Sequence, residues 1–314
     1  MRLLRPAVPV LLPVLLLVGA CSSDDDGGDG GGGAALDAVE VSAATEEGTA
    51  PTLTVDGPLS VTETQTKVIT EGDGEAVAEG DLVGVRLVAV NGRDGKALSN
   101  PDWTVAPDYF VVGSDQTPPF VAAALEDATV GSQVLTAVPP EEGPQANLAD
   151  AGVKADDTLV ILLDFTSSGS PRAEGTPVTP PAGLPTVALD EATGEPTITV
   201  PAGTPAPTEL VAQTLIKGSG PVVTADQSVT AQYTGVVYGT GTVFDSSWER
   251  GAPSTFPLSG VIAGWTQGLT GQTVGSQVLL VIPPAQGYGD AGQPDAGISG
   301  TDTLVFVVDV LAAS

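Results

Sequence analysis

Thr273-Val274-Gly275-Ser276-Gln277-Val278-Leu279 is found twice in this chain, the first time as Thr129-Val130-Gly131-Ser132-Gln133-Val134-Leu135. Both copies run on into a proline pair, Pro139-Pro140 and Pro283-Pro284. Upstream, Pro51-Thr52-Leu53-Thr54-Val55 matches Pro196-Thr197-Ile198-Thr199-Val200. Downstream, Asp157-Thr158-Leu159-Val160 matches Asp302-Thr303-Leu304-Val305. Matched blocks in the same order mean a duplicated domain, and two copies fall short of a solenoid. The expected domains are residues 51–166 and 195–314. Between them, residues 167–194 are rich in Pro, Gly, Thr and Ala and read as a linker.

Within the second copy, Val229, Ala231, Tyr233, Gly235 and Val237 fall at every second position, the pattern of a half-buried strand. Leu304, Phe306, Val308 and Val310 alternate in the last strand, and Gly239-Thr240-Gly241 signals a hairpin turn. Helical spacing is confined to Val261–Leu269, where Val261, Ile262, Trp265 and Leu269 share a face. The expected fold is α+β: two domains, each an antiparallel sheet wrapped on one short helix.

Composition narrows the chemistry. The 314 residues include 40 Gly and 27 Pro, a bias toward β-rich domains joined by loops. With ten Lys and Arg and a net charge of −29, the surface repels nucleic acid, whose binding depends on Lys and Arg neutralising phosphates. There is no His, which removes the commonest general base and metal ligand. A single Cys allows neither an internal disulfide nor a Cys-based zinc site. No cofactor is expected.

Several motifs of the second copy stand in one order: Gln232-Tyr233-Thr234-Gly235, Phe244-Asp245-Ser246-Ser247, Arg250, Val261–Leu269, Ile282-Pro283-Pro284, Gly287-Tyr288-Gly289 and Thr303-Leu304-Val305-Phe306. Together they resemble the signature of FKBP-type peptidyl-prolyl cis–trans isomerases, over nearly the whole copy. The resemblance implies a proline pocket with Trp265 as floor, and Phe244, Val261 and Phe306 as walls. It further implies that Tyr233, Asp245 and Tyr288 line the pocket and that the Ile262 N–H meets the substrate carbonyl. Arg250, Phe256 and Ile298 are expected to complete the binding surface. The chain departs from the family at Ser254, at Gln293 and in a shortened Leu258–Val261 segment.

The first copy lacks these side chains. Aligned through the shared heptapeptide, Val121 stands opposite Trp265, Leu87 opposite Tyr233 and Pro144 opposite Tyr288. Ala97-Leu98-Ser99-Asn100 replaces the Phe-Asp-Ser-Ser segment. Its strand residues survive, so it is expected to keep the fold without the site. Trp103, Tyr109, Phe110 and Phe120 are candidates for a different apolar site.

At the N-terminus, Arg2 and Arg5 precede an apolar run that ends in Leu17-Val18-Gly19-Ala20-Cys21. The run is too short to span a membrane, which takes about 20 residues, and it fits a secretory signal over residues 1–20. Small residues directly before a Cys resemble a lipoprotein lipobox, with Cys21 as the lipidation site. Residues 21–50, acidic and then Gly-rich, read as a flexible tether. The expected protein is an extracytoplasmic monomer, held to the cell membrane through its lipid alone, whose partners are proline-containing exported polypeptides. The competing reading is a non-catalytic peptide-binding or holdase module. A solute-binding lipoprotein fits poorly, for want of helices.

Overall fold

The computed structural model describes residues 34–44, 48–98, 102–126, 128–143 and 151–314. Cys21, Pro144, Ser99 and Asn100 lie outside these.

The first copy begins with a hairpin, β1 (Val39–Ser42) and β2 (Thr52–Val55). Its main sheet is built from β3 (Gln65–Thr70), β4 (Leu82–Asn91), β5 (Asp108–Val111), β6 (Gln133–Val138) and β7 (Leu159–Gly169). Helix α1 (Pro119–Leu125) precedes β6. The strands lie antiparallel in the order β3-β6-β7-β4-β5.

A two-residue strand, β8 (Thr176–Pro177), and a hairpin of β9 (Thr186–Leu189) and β10 (Pro196–Thr199) lead into the second copy. Its sheet holds β11 (Val211–Lys217), β12 (Ser228–Val237), β13 (Val243–Ser246), β14 (Ser254–Pro257), β15 (Gln277–Ile282) and β16 (Leu304–Ala313), with α2 (Ala263–Leu269) ahead of β15. The order is β13-β12-β16-β15-β11-β8, and β14 pairs the other half of β12. The same succession recurs with the helix in the same place. The Val83↔Phe110 pair of the first copy corresponds to Val229↔Phe256 of the second. The expected α+β architecture with two like domains is what the coordinates hold.

The shared heptapeptide has a structural explanation. Thr273 Oγ1 donates to Gly218 O at 2.8 Å, and Ser276 Oγ accepts from Gly218 N at 3.0 Å. Thr129 and Ser132 make the same pair of bonds to Gly72, both at 3.0 Å. A side chain on Gly72 or Gly218 would begin 2.3 Å from the carbonyl oxygen of Val130 or Val274, so the loop can close only on glycine. Gly131 and Gly275 turn at φ 92° and 86°, a region that disfavours residues with a Cβ. The identical residues thus staple a crossing loop and line no site.

In two respects the structure departs from the sequence reading. The central strand β12 is buried on both faces rather than one, with Thr230, Gln232 and Thr234 as inaccessible as its apolar residues. The cause lies in two hairpins, each formed by a segment read as tether or linker together with the first residues of the domain that follows. On the outer face of the second sheet, Val187, Ile198 and Val200 pack against Val236, Leu279, Val281, Val305 and Val307. In the first copy Leu36, Val39 and Leu53 cover Val88, Leu135, Val160 and Leu162 in the same manner. Each sheet is thus sandwiched between a helix and a hairpin, and residues 34–42 and 186–199 are structured. Fully burying one such aliphatic side chain is worth about 1.5–3 kcal/mol. Between the copies, Val178 N bonds Leu215 O and Ala173 N bonds the Asp309 carboxylate, both at 2.8 Å, so residues 173–178 are fixed to the second sheet.

Candidate functional site

On its inner face, the second sheet and α2 enclose a cup of about 270 Å³. Trp265 forms its base. It reaches that position because Gly264 and Gly268 let α2 lie close on the sheet: a Cβ on either would come within 2.5 Å of Ile282 or Leu280. Tyr233 from β12 stands edge-on to Trp265 with ring centres 5.3 Å apart, and Phe306 from β16 does so at 5.4 Å. Phe256 from β14 meets Trp265 at 5.6 Å, and Phe244 from β13 meets Phe306 at 5.4 Å, again near-perpendicular. Each such pair adds about 0.5–1.5 kcal/mol beyond the area buried, so the rings hold one another in place. Tyr233, Trp265 and Phe306 are each 4% exposed, whereas Tyr288, at the mouth, is 38% exposed.

A polar rim completes the cup. The Tyr233 hydroxyl donates to Asp245 Oδ2 at 2.5 Å and accepts from Arg250 Nη2 at 2.7 Å. Arg250 also pairs with Asp245 through Nη1, and its guanidinium lies over the Tyr233 ring, 5.4 Å from the centre. Burial and the bond to Asp245 push the Tyr233 phenol up to about 12. Burial, with the Asp245 charge nearby, raises the Tyr288 phenol as well. Both hydroxyls therefore stay protonated and able to donate at neutral pH. Tyr233 is anchored from behind, where its N–H donates to Ser247 Oγ at 2.7 Å and Ser247 in turn donates to Gln232. Ile262 is extended (φ −60°, ψ 146°) just ahead of α2, and its N–H makes no hydrogen bond among the described residues.

The structure brings Tyr233, Phe244, Asp245, Phe256, Val261, Ile262, Trp265, Tyr288 and Phe306 to one cavity. Arg250 stands behind the lining, holding Asp245 and Tyr233. Ile298 is 2% exposed and belongs to the core around Trp265 rather than to the wall. Gly260 does line the cup. Sequence reasoning passed over it, since a side-chain search ignores glycine; its place in the turn before α2 was the available signal.

At the corresponding place in the first copy, Leu87, Val121 and Leu98 leave no aromatic floor. Phe110 and Phe120 remain beside a hollow there, but Trp103 packs in the core of the sheet's opposite face, under Arg86. Tyr109 does not line the hollow.

Comparison with known proteins points to one family. The family model for FKBP-type peptidyl-prolyl cis-trans isomerases matches residues 220–311. A probable FK506-binding protein of Corynebacterium glutamicum is 44% identical over 119 residues, which are 38% of this chain and 98% of that protein. An FK506-binding protein of Streptomyces anulatus is 42% identical over 120 residues, 38% of this chain and 96% of that one. The crystal structure of FkpA from Escherichia coli shares 41% identity with a TM-score of 0.32, covering 34% of this chain and 49% of that chain. A relative matched along almost its whole length, together with the aromatic cup and its polar rim, places this chain in the FKBP family, with a peptidyl-prolyl cis–trans isomerase as its C-terminal third.

Proposed function

We propose that the cup isomerises Xaa-Pro bonds by favouring the twisted imide over the planar one. Rotation about a peptide bond faces a barrier of roughly 18–20 kcal/mol, because amide resonance is lost on the way. The half-rotated carbonyl is less polar than the planar one, so water favours the planar form. Trp265, Phe306, Phe244 and Phe256 exclude water and receive the proline ring by apolar contact. The Ile262 N–H, which has no partner among the described residues, binds the carbonyl of the substrate. Tyr233, Asp245 and Tyr288 meet the rotating imide, and Arg250 positions the first two. Ile298 supports the floor from below. Every 1.36 kcal/mol of preference for the twisted state is about tenfold in rate, and no nucleophile or metal is required. The observation that carries this reading is the mutual edge-on packing of the rings around Trp265 beneath one hydrogen-bonded Tyr–Asp–Arg rim. A protease-coupled assay on an Ala-Leu-Pro-Phe peptide tests it. Trp265→Leu and Asp245→Leu should each lose at least about tenfold in kcat/KM. Full activity in both would remove the assignment, and peptide binding without catalysis would favour a holdase.

We further propose that the clients are exported polypeptides met outside the membrane, with the protein held there by a lipid on Cys21. Uncatalysed prolyl isomerisation takes tens of seconds and can limit folding, so a catalyst at the membrane would speed the folding of exported chains. The lipobox-like Leu17–Cys21 and the Gly-rich stretch after it support this reading. Labelling cells with a radioactive fatty acid checks it: wild type should take up label and Cys21→Ser should not.

A further inference from the structure

We propose that the hollow of the first copy is a second, non-catalytic peptide site, which takes an apolar side chain flanked by Lys or Arg. In the repeat, it occupies the place of the cup. Its volume is about 510 Å³, larger than the cup, and its walls are Leu87, Phe110, Pro118, Pro119 and Phe120. The Tyr–Asp–Arg rim is absent from it. In its stead Glu141 and Glu142 stand at the edge, where the second copy has Ala285 and Gln286, and no Lys or Arg among the described residues lines it. Glu142 is held in place by the Thr64 hydroxyl at 2.5 Å. An apolar wall beneath two carboxylates, on a chain of net charge −29, favours a basic and apolar segment over an acidic one.

The position of this hollow ties it to the isomerase site. Gly251, next to Arg250, lies against Gln116: a Cβ built on it would stand 3.5 Å from Gln116 Cγ. Gln116 is two residues from Pro118 in the wall of the hollow, and Arg250 holds the rim of the cup from behind, so the two copies touch a few residues away from each site. One extended polypeptide can then place a basic, apolar segment in the first copy and its Xaa-Pro bond in the second. This tethering rests on the isomerase reading above, whereas the first-copy site itself does not.

The test uses the full chain and two probes. The first is a fluorescein-labelled, proline-free peptide, Lys-Leu-Phe-Leu-Lys, followed by anisotropy. It should bind wild type saturably, and Glu141→Lys/Glu142→Lys should weaken it at least fivefold, as should replacing its lysines by glutamate. Phe110→Ala should do the same, and the surface double variant decides if that chain fails to fold. The second probe joins this segment to Ala-Leu-Pro-Phe through a flexible spacer. Its KM should fall at least tenfold below that of Ala-Leu-Pro-Phe alone, because the second contact becomes intramolecular. Glu141→Lys/Glu142→Lys should abolish this gain and leave turnover of the short peptide unchanged. Lack of binding by the first probe, or binding indifferent to all these changes, would overturn the site. That result would be expected if the hollow were filled by another segment of this chain or by a second copy. Catalytic failure with peptide binding intact would instead count against the isomerase reading and the tethering.

Discussion

The two copies share the residues that turn the chain and differ in the residues that face the cup. Thr129, Ser132 and Gly72 repeat Thr273, Ser276 and Gly218 down to their hydrogen bonds. Val121 and Leu87 stand where the second copy has Trp265 and Tyr233, and the strand pairing, Val90↔Ala97 against Val236↔Val243, puts Leu98 in the place of Phe244, one residue from where the sequence alone aligns it. Stability of the sheet and chemistry of the site therefore reside in separate sets of residues of one fold. Giving the second copy the side chains of the first should break the function and spare the fold. Tyr233→Leu/Phe244→Leu/Trp265→Val is expected to lose about 100-fold or more in kcat/KM on a Xaa-Pro peptide, about 3 kcal/mol of transition-state stabilisation. Its far-UV circular dichroism at 20 °C should remain that of wild type, because the first copy keeps the same strand order without those rings. Retained activity would mean that the aromatic set is packing alone.

A second contrast concerns one repeated carboxylate. Asp309 in β16 is 2% exposed and accepts from Gln277 Nε2 and from Ala173 N, both at 2.8 Å. Its counterpart Asp164 in β7 accepts from Gln133 Nε2 at 3.4 Å and is only half-buried. Burial raises both carboxyls, and for Asp309 the value reaches about 6. The unfolded carboxyl titrates near 3.9, so between about pH 4 and 6 the native state binds the extra proton. The stability this group contributes is complete below about pH 4 and is lost as pH rises through 6. A rise of about two units corresponds to about 3 kcal/mol. Urea unfolding from pH 4 to 7 should show this downward slope in wild type. Asp309→Asn should flatten it, with Gln277 turned to accept from the new amide, and Asp164→Asn should change it far less. Equal slopes in the two variants would contradict the difference in burial.

How much of this could be read in advance depends on the residue. The alternation in Leu304–Val310 and the helical face at Val261–Leu269 are strong local signals for a strand and a helix, whereas the meeting of Trp265, Tyr233 and Phe306 at one cavity is implied by the resemblance to the family and not by either pattern. The covering hairpins were not legible. Val187, Ile198 and Val39 belong to short apolar stretches set among Pro, Gly, Thr and charged neighbours, and only the sheet they land on shows what they bury. For the same reason β12 read as half-exposed, since Thr230, Gln232 and Thr234 are polar yet find partners inside. Ile298 is expected on the binding surface because its loop follows Tyr288, but its backbone pairs both ways with Gln293 and its side chain joins the core.

The smallest effect tests how the helix seats on each sheet. Gly264 of α2 corresponds to Phe120 of α1, and Ile282 of β15 to Val138 of β6. Where the helix residue is large, the strand residue is smaller. A Cβ at position 264 would stand 2.5 Å from Ile282 Cγ2, a contact that forces α2 off the sheet or Ile282 out of its rotamer. Overpacking of this kind costs about 1–3 kcal/mol, against a gain of up to about 1 kcal/mol in helix propensity when glycine is replaced. Gly264→Ala should therefore lower the melting temperature. Ile282→Val is mildly destabilising alone but removes the Cδ1 methyl, which would stand 2.8 Å from that Cβ, and lets the shorter side chain turn away, so it should restore part of the loss when combined with it. A coupling of at least about 0.5 kcal/mol in the double-mutant cycle is expected for residues in contact. Strict additivity would mean that α2 yields freely, and the spacing between helix and sheet would then not be what holds Trp265 at the base of the cup.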